Sequence, residues 1–156
     1  MKRFIVFSDI HGDYNNLRKL NALISENHGG FFAGDGLNCV LSARCENLFW
    51  VAGNCDAYGD KEQIVEIEGV KILLTHGHLY GVKSGMGKLY YRAKEVGANV
   101  VIFGHTHTPL ICEEDDILFL NPGTSCSNAI SPTFIYMCIN EGKVQAFLNQ
   151  TTLASR

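Results

Sequence analysis

Seven residues of types that bind hard or borderline metals stand just behind apolar runs: Asp9, His11, Asp35, Asn54, His76, His105 and His107. Asp9/His11 and His105/His107 are i, i+2 pairs. In extended backbone alternate side chains point the same way, so each pair can reach one site together. Glycine precedes Asp35, Asn54 and His105 and follows His11 and His76, where it permits a sharp turn or a close approach to a ligand. An aspartate behind one strand is ordinarily a turn residue. Five strand ends aimed at one crevice are another matter, because ligands of open α/β sheets gather beyond the carboxyl ends of the strands. Two aspartates, four histidines and an asparagine exceed what one first-row ion needs. Two ions sharing a carboxylate would use them all, and such pairs serve in-line displacement at phosphorus. The mixed nitrogen and oxygen set suits manganese, iron, zinc, nickel or cobalt better than calcium or magnesium.

The elements that must position these residues follow from pattern. Residues 3–8 are an unbroken β-branched and aromatic run, which reads as a buried strand. Apolar spacing predicts a helix over 14–28, ended by Gly29-Gly30, with His28 complementing its C-terminal dipole. A short strand at 31–33, a weak helix at 38–44 and a strand at 47–52 come next. Residues 63–68 and 70–75 read as a hairpin around Gly69, 76–87 as a glycine-rich loop, and 88–96 as a helix closed by Gly97. A strand at 99–103 leads into Gly104, and the remainder is mostly β, at 108–113, 117–120, 133–139 and 143–149. Helices alternating with strands, followed by a β-rich half, predict two sheets about one centre with helices outside, in a single domain over 1–156.

Composition bounds the rest. Of 156 residues, 46% are hydrophobic and 19% charged, which excludes disorder and fibrous classes. A net charge of −3 argues against a strong nucleic-acid surface. The longest apolar run, 134–139, falls far short of the roughly 20 residues a membrane span needs. The short apolar stretch after Lys2-Arg3 is no signal-peptide core, which predicts a cytoplasmic protein. Most of the six cysteines, which form no CxxC pair, read as reduced, half-buried side chains, with Cys55 set apart.

The boxes occur in the order Asp9-x-His11, Gly34-Asp35, Gly53-Asn54-Cys55-Asp56, His76-Gly77 and Gly104-His105-x-His107. This order resembles the calcineurin-like metallophosphoesterase superfamily. The short length and the Gly-Asn-Cys-Asp box are similar to its small bacterial and archaeal phosphodiesterase branch, and the resemblance runs from Lys2 to about Gly123. It implies an α/β fold, a four-layer α-β-β-α sandwich. It also implies two divalent ions, manganese first, with nickel, cobalt, zinc or iron as alternatives. Asp9, His11, Asp35 and His107 would hold one ion; Asp35, Asn54, His76 and His105 would hold the other, with Asp35 shared. A hydroxide between the ions would attack a small phosphodiester or nucleotide in line. One departure stands out: most of the superfamily carries histidine where this chain has Cys55. A thiol is a poorer acid near neutral pH than an imidazolium, so good leaving groups would be favoured, or another group such as His78 would supply the proton.

Other residues have plainer readings. Asp56 shapes its loop by hydrogen bonding, Asn121-Pro122-Gly123-Thr124 is a turn by composition for which the resemblance implies a place near the site, with a substrate role as the alternative reading, Glu113 to Asp116 is a solvated hairpin tip, and Tyr80, Tyr90 and Tyr91 pack the helix. Two other functions compete. The retromer subunit of this fold has lost catalytic residues and serves as a protein-binding scaffold, whereas here all seven ligands remain. A phosphomonoesterase would need a positive group for the extra phosphate charge, and no arginine lies within the boxes. An exposed edge among the C-terminal strands could pair in a homodimer.

Overall fold

The structure, a computed structural model, describes residues 1–126 and 132–151. In chain order it has β1 (Lys2–Phe7), α1 (Tyr14–Ser25), β2 (Gly29–Phe32), α2 (Leu37–Ser42), β3 (Leu48–Trp50), β4 (Glu62–Ile67), β5 (Val70–Thr75), α3 (Gly87–Val96), β6 (Val100–Ile102), β7 (Leu110–Glu114), β8 (Ile117–Asn121), β9 (Thr133–Asn140) and β10 (Lys143–Gln150). A 3-10 turn spans His78–Tyr80, inside the stretch expected to be loop.

The run from Phe4 to Phe7 is apolar throughout because both of its faces are covered. Phe4 and Val6 join a central cluster with Phe31, Ile72, Leu74 and Ile102, while Ile5 and Phe7 face Leu17, Leu20 and Ile24 of α1. Period-2 alternation thus sends one half of the run inward and the other outward. The strands form two five-stranded sheets, ordered β10-β9-β1-β2-β3 and β4-β5-β6-β8-β7. The central cluster lies between them, a second beneath α1 and α2, and a third joins Leu89 and Ala93 of α3 to Leu73 and Val101. These are the four layers α-β-β-α. Within each sheet β1-β2-β3 and β5-β6-β8 run parallel, so β1, β2, β3, β5 and β6 each deliver a connection at a carboxyl end.

One boundary differs from the sequence reading. Helix α1 ends at Ser25, and Gly29 and Gly30 belong to β2, paired with Phe4 and Ile5. A Cβ at Gly30 would stand 3.0 Å from the Ile5 carbonyl oxygen and 3.1 Å from the Ile24 side chain. The glycine therefore lets α1 lie close on the sheet. His28 is likewise a sheet neighbour, exchanging bonds with Arg3: its N–H donates to the Arg3 carbonyl (2.9 Å) and its Nδ1 accepts the Arg3 N–H (3.0 Å). Among the described residues no helix is long and apolar enough to cross a membrane.

Candidate active site

Six of the seven expected residues converge in two groups, Asp9–His11–His107 and Asp35–His76–His105, with the ligand atoms of each group within 4.8 Å of one another. His107 Nε2 lies 3.1 Å, His11 Nε2 3.7 Å and His76 Nε2 3.9 Å from Asp9 Oδ1. His76 Nε2 is 3.2 Å from Asp35 Oδ2 and 3.2 Å from His105 Nδ1, so the groups adjoin. The seventh residue, Asn54, occupies the exposed turn after β3. Its neighbour Cys55 donates its backbone N–H to Asp35 Oδ1 (2.9 Å), which brings this turn against the second group.

Backbone conformation sets the aim of these side chains. Asp9, His11, Asp35, His105 and His107 all have φ between +45° and +70°. Non-glycine residues visit this region sparsely, and such strain persists only where the surroundings over-determine it. Here they do. The Asp9 N–H donates to the Gly34 carbonyl (2.9 Å), Ile10 and His11 donate to the Asp35 carbonyl (3.0 and 3.2 Å), and Gly104 donates to the His76 carbonyl (2.9 Å). Gly104 is compulsory, since a Cβ there would run into Ser8 Oγ and stand 2.8 Å from Asp9 Oδ2.

The supporting residues are placed as firmly. Asp56 touches none of the histidines in the hydrogen-bond network. Its carboxylate instead accepts four backbone N–H groups, from Asp35 (2.8 Å), Gly53 (2.7 Å), Gly36 (3.0 Å) and Leu37 (3.0 Å). Ser8 Oγ donates to Asp9 Oδ2 (2.6 Å), and His76 Nδ1 is 2.7 Å from the Ala33 carbonyl oxygen, which leaves Nε2 to face the site. Ser8 was hidden in the sequence because it reads as the last residue of a strand.

Charge is distributed unevenly. Burial raises the Asp9 carboxyl above its ordinary value despite its histidine neighbours. Burial pushes Asp35 the same way, but the His76 and Cys55 hydrogen bonds overcome it and hold that carboxyl well below the usual range. Burial opposes protonation of His76, yet Asp35 and Asp9 raise its pKa overall. His105 is lowered to about 4, by burial and then by His76, with a contribution from Lys83. His78 is also lowered, by burial, His76 and Lys61. Positive charge does reach the site, from lysines outside the boxes. The His78 ring centre lies 5.5 Å from that of His76 and 6.1 Å from that of His105. Its Nδ1 is enclosed and, among the described residues, lacks a hydrogen-bond partner.

Two facing sheets between helices, with carboxylates and imidazoles gathered at parallel strand ends, define a class of α/β protein with a candidate two-ion centre. The chain belongs to the calcineurin-like phosphoesterase superfamily, whose domain model matches residues 1–142. It is 46% identical over 76 residues to the probable metallophosphoesterase YsnB of Bacillus subtilis, a match covering 47% of this chain and 45% of that protein. It is 30% identical over 150 residues to a probable metallophosphoesterase of Mycoplasma pneumoniae, with 92% of this chain and 94% of the relative covered. The phosphodiesterase MJ0936 of Methanocaldococcus jannaschii is 30% identical over 143 residues, covering 78% of this chain and 82% of the relative. Among solved structures, a conserved Streptococcus pneumoniae protein described as a predicted phosphoesterase superposes with a TM-score of 0.86 at 27% identity, covering 97% of this chain and 90% of that one. Vps29 of Chaetomium thermophilum shares the fold, with a TM-score of 0.79 at 18% identity, covering 96% of this chain and 91% of that one.

Proposed function

We propose that the chain is a metal-dependent phosphoric diester hydrolase. In this reading Asp9, His11, Asp35 and His107 hold one divalent ion, and Asp35, Asn54, His76 and His105 hold the other. The observation that carries it is the crowding of carboxylate and imidazole atoms within 4.8 Å in two adjoining groups, five of whose six residues keep a strained backbone. The donor set fits such ions: Asp9 is fully buried, and its Oδ1 faces three imidazoles at 3.1–3.9 Å, an arrangement a cation among them would relieve. Mixed nitrogen and oxygen donors favour manganese, with iron, zinc, nickel and cobalt also suited. When bound, two such ions lower the pKa of water and neutralise charge on a phosphoryl group.

The chain's own groups do the rest. Ser8 and the His105 N–H fix Asp9 Oδ2, the Cys55 N–H fixes Asp35 Oδ1, and both aspartates keep their other oxygen toward the histidines. Asn54 and Cys55, on the exposed turn, and His78, beside His76 and His105, are assigned to face the substrate. Small diesters are the proposed substrates, a reading supported by the phosphodiesterase name of a relative that matches most of its length.

The test is hydrolysis of bis-p-nitrophenyl phosphate and p-nitrophenyl phosphate by metal-stripped protein, with and without manganese. Turnover that requires manganese, is faster on the diester and is lost in Asn54→Ala is the expected result. Preference for the monoester would make the enzyme a phosphomonoesterase. No turnover with manganese, nickel, cobalt or zinc, while metal is demonstrably bound, would replace catalysis with a scaffold role.

A further inference from the structure

The connection that leaves β8 supplies none of the proposed ligands, yet it grips both loops that form the Asp9–His11–His107 group. Asn121, fully buried, donates through Nδ2 to the Gly104 backbone carbonyl (3.2 Å), just before His105, and to the Thr106 side-chain Oγ1 (2.9 Å), between His105 and His107. Three residues on, Thr124 Oγ1 donates to the Asp9 carbonyl oxygen (2.9 Å), and the Ser125 N–H donates to the Ser8 carbonyl (3.0 Å). Asn16 of α1 in turn holds the Ser125 carbonyl (2.9 Å). The segment is compact because Asn121 Oδ1 accepts the Gly123 N–H (2.9 Å), which closes a turn.

We infer that residues 121–125 form a strap that positions the Asp9–His11–His107 ion site, with Thr124 as the positioning residue for Asp9; the inference rests on the proposed two-ion reading. Asp9 sits at φ +54°, a conformation that relaxes unless both of its peptide groups are held. Gly34 holds the peptide before it; the peptide after it is held at its N–H, that of Ile10, by the Asp35 carbonyl and at its carbonyl by Thr124. If the hydroxyl is removed, the Asp9 carbonyl loses its partner and that peptide keeps only the Ile10 bond to Asp35, so the strained φ is less firmly held and the carboxylate is less well aimed at His11 and His107. The other group is fixed by different partners: Asp56 on the Asp35 N–H and the Ala33 carbonyl on His76. Loss of Thr124 Oγ1 therefore acts mainly on the ion of the Asp9–His11–His107 group.

The experiment is calorimetric titration of metal-stripped full-length protein with manganese chloride, for the wild type, Thr124→Val, Thr124→Ala and Thr124→Ser. Metal-free melting temperature is measured alongside. The wild type is expected to take up two ions. Thr124→Val and Thr124→Ala are expected to bind one of them about 10–100-fold more weakly, the usual penalty for losing a group that orients a ligand, and the other nearly as the wild type does. Thr124→Ser keeps the hydroxyl and is expected to match the wild type. Two-ion binding at wild-type affinity by Thr124→Val and Thr124→Ala overturns the strap alone. Equal weakening of both ions, together with a lowered metal-free melting temperature, overturns it too, by reducing Thr124 to general stability. A wild type that takes up fewer than two ions overturns the two-ion reading itself.

Discussion

Cys55 lies on an exposed turn, yet partial desolvation of its thiol, followed by the charges of Asp35 and Asp56, pushes it above its ordinary range, so it keeps its proton around neutral pH. His78 departs from its ordinary value in the other direction. Burial and the neighbouring His76 favour its neutral ring, and its enclosed Nδ1 has no acceptor among the described residues for a second proton. Neither group resembles an imidazolium ready to protonate a departing alkoxide. Leaving-group basicity should then appear undiminished in the rate. Across aryl phosphodiesters whose phenols span pKa values from about 7 to about 10, turnover should fall by about a hundredfold or more, the factor a well-placed acid would have recovered. A flat series would mean that a proton donor operates in the site. The Cys55 anomaly was legible at once, as a single residue out of pattern. The state of His78 was not, because it depends on a 3-10 turn that packs the ring against two other histidines.

Helix α2 shows how elements, rather than single residues, hold the site. The residue that precedes α2, Gly36, has no side chain to cap the first turn, so the N–H groups of Gly36 and Leu37 would be orphaned. Asp56 supplies the missing acceptor from the turn after β3 and at the same time fixes the N–H groups of Asp35 and Gly53. Those four bonds outweigh the effect of burial and hold its carboxyl below the usual range. A lowered folded-state pKa contributes stability that is present above the unfolded value, about 3.9, and is lost as pH falls through the folded value. Asp56→Asn should therefore cost about 2 kcal/mol or more at pH 7 in urea unfolding, as expected for hydrogen bonds to a charged group. The gap to the wild type should hold down to about pH 5 and close below about pH 4. A gap that does not depend on pH would show that shape, not charge, matters there. A second element-scale contact is the seat of α1 on β2. Gly30→Ala should destabilise by about 1–3 kcal/mol, because the added methyl meets the Ile5 carbonyl and Ile24 where neither can withdraw freely. Denaturant midpoints unchanged by Gly30→Ala would show that the helix can lift away. The same position marks a limit of sequence reading: Gly29-Gly30 after an amphipathic stretch has the form of a helix stop, and only the closeness of α1 to the sheet reveals a strand.

At the scale of the whole molecule the layers were legible because each strand run is bounded by glycine or polar punctuation, and because strand ends coincide with the boxes. The strap at residues 121–125 was visible only as a turn, since its bonds to Gly104 and Asp9 span 17 and 115 residues. What the sandwich does with its candidate ligand residues is to shift their affinity for protons in opposite directions. Asp9 and His76 both have raised pKa values in the metal-free protein, the first through burial and the second through its aspartate partners, so both retain protons to higher pH than usual. Asp35 and His105 are lowered and carry no competing proton near neutrality. An ion entering the site must expel whatever protons Asp9 and His76 carry, and binding therefore weakens as pH falls. Ligand-linked stabilisation grows with the ratio of free ion to its dissociation constant, reaching about 2.7 kcal/mol for one site at a hundredfold excess. At a fixed manganese concentration, the rise in melting temperature over the metal-free protein should be largest near pH 8 and shrink steadily toward pH 6. Asp9→Asn cannot be deprotonated and should show a smaller rise at every pH with a flatter profile. A rise of equal size from pH 8 to pH 6 in the wild type would mean that the ion enters without displacing protons, and that neither Asp9 nor His76 carries one across that range.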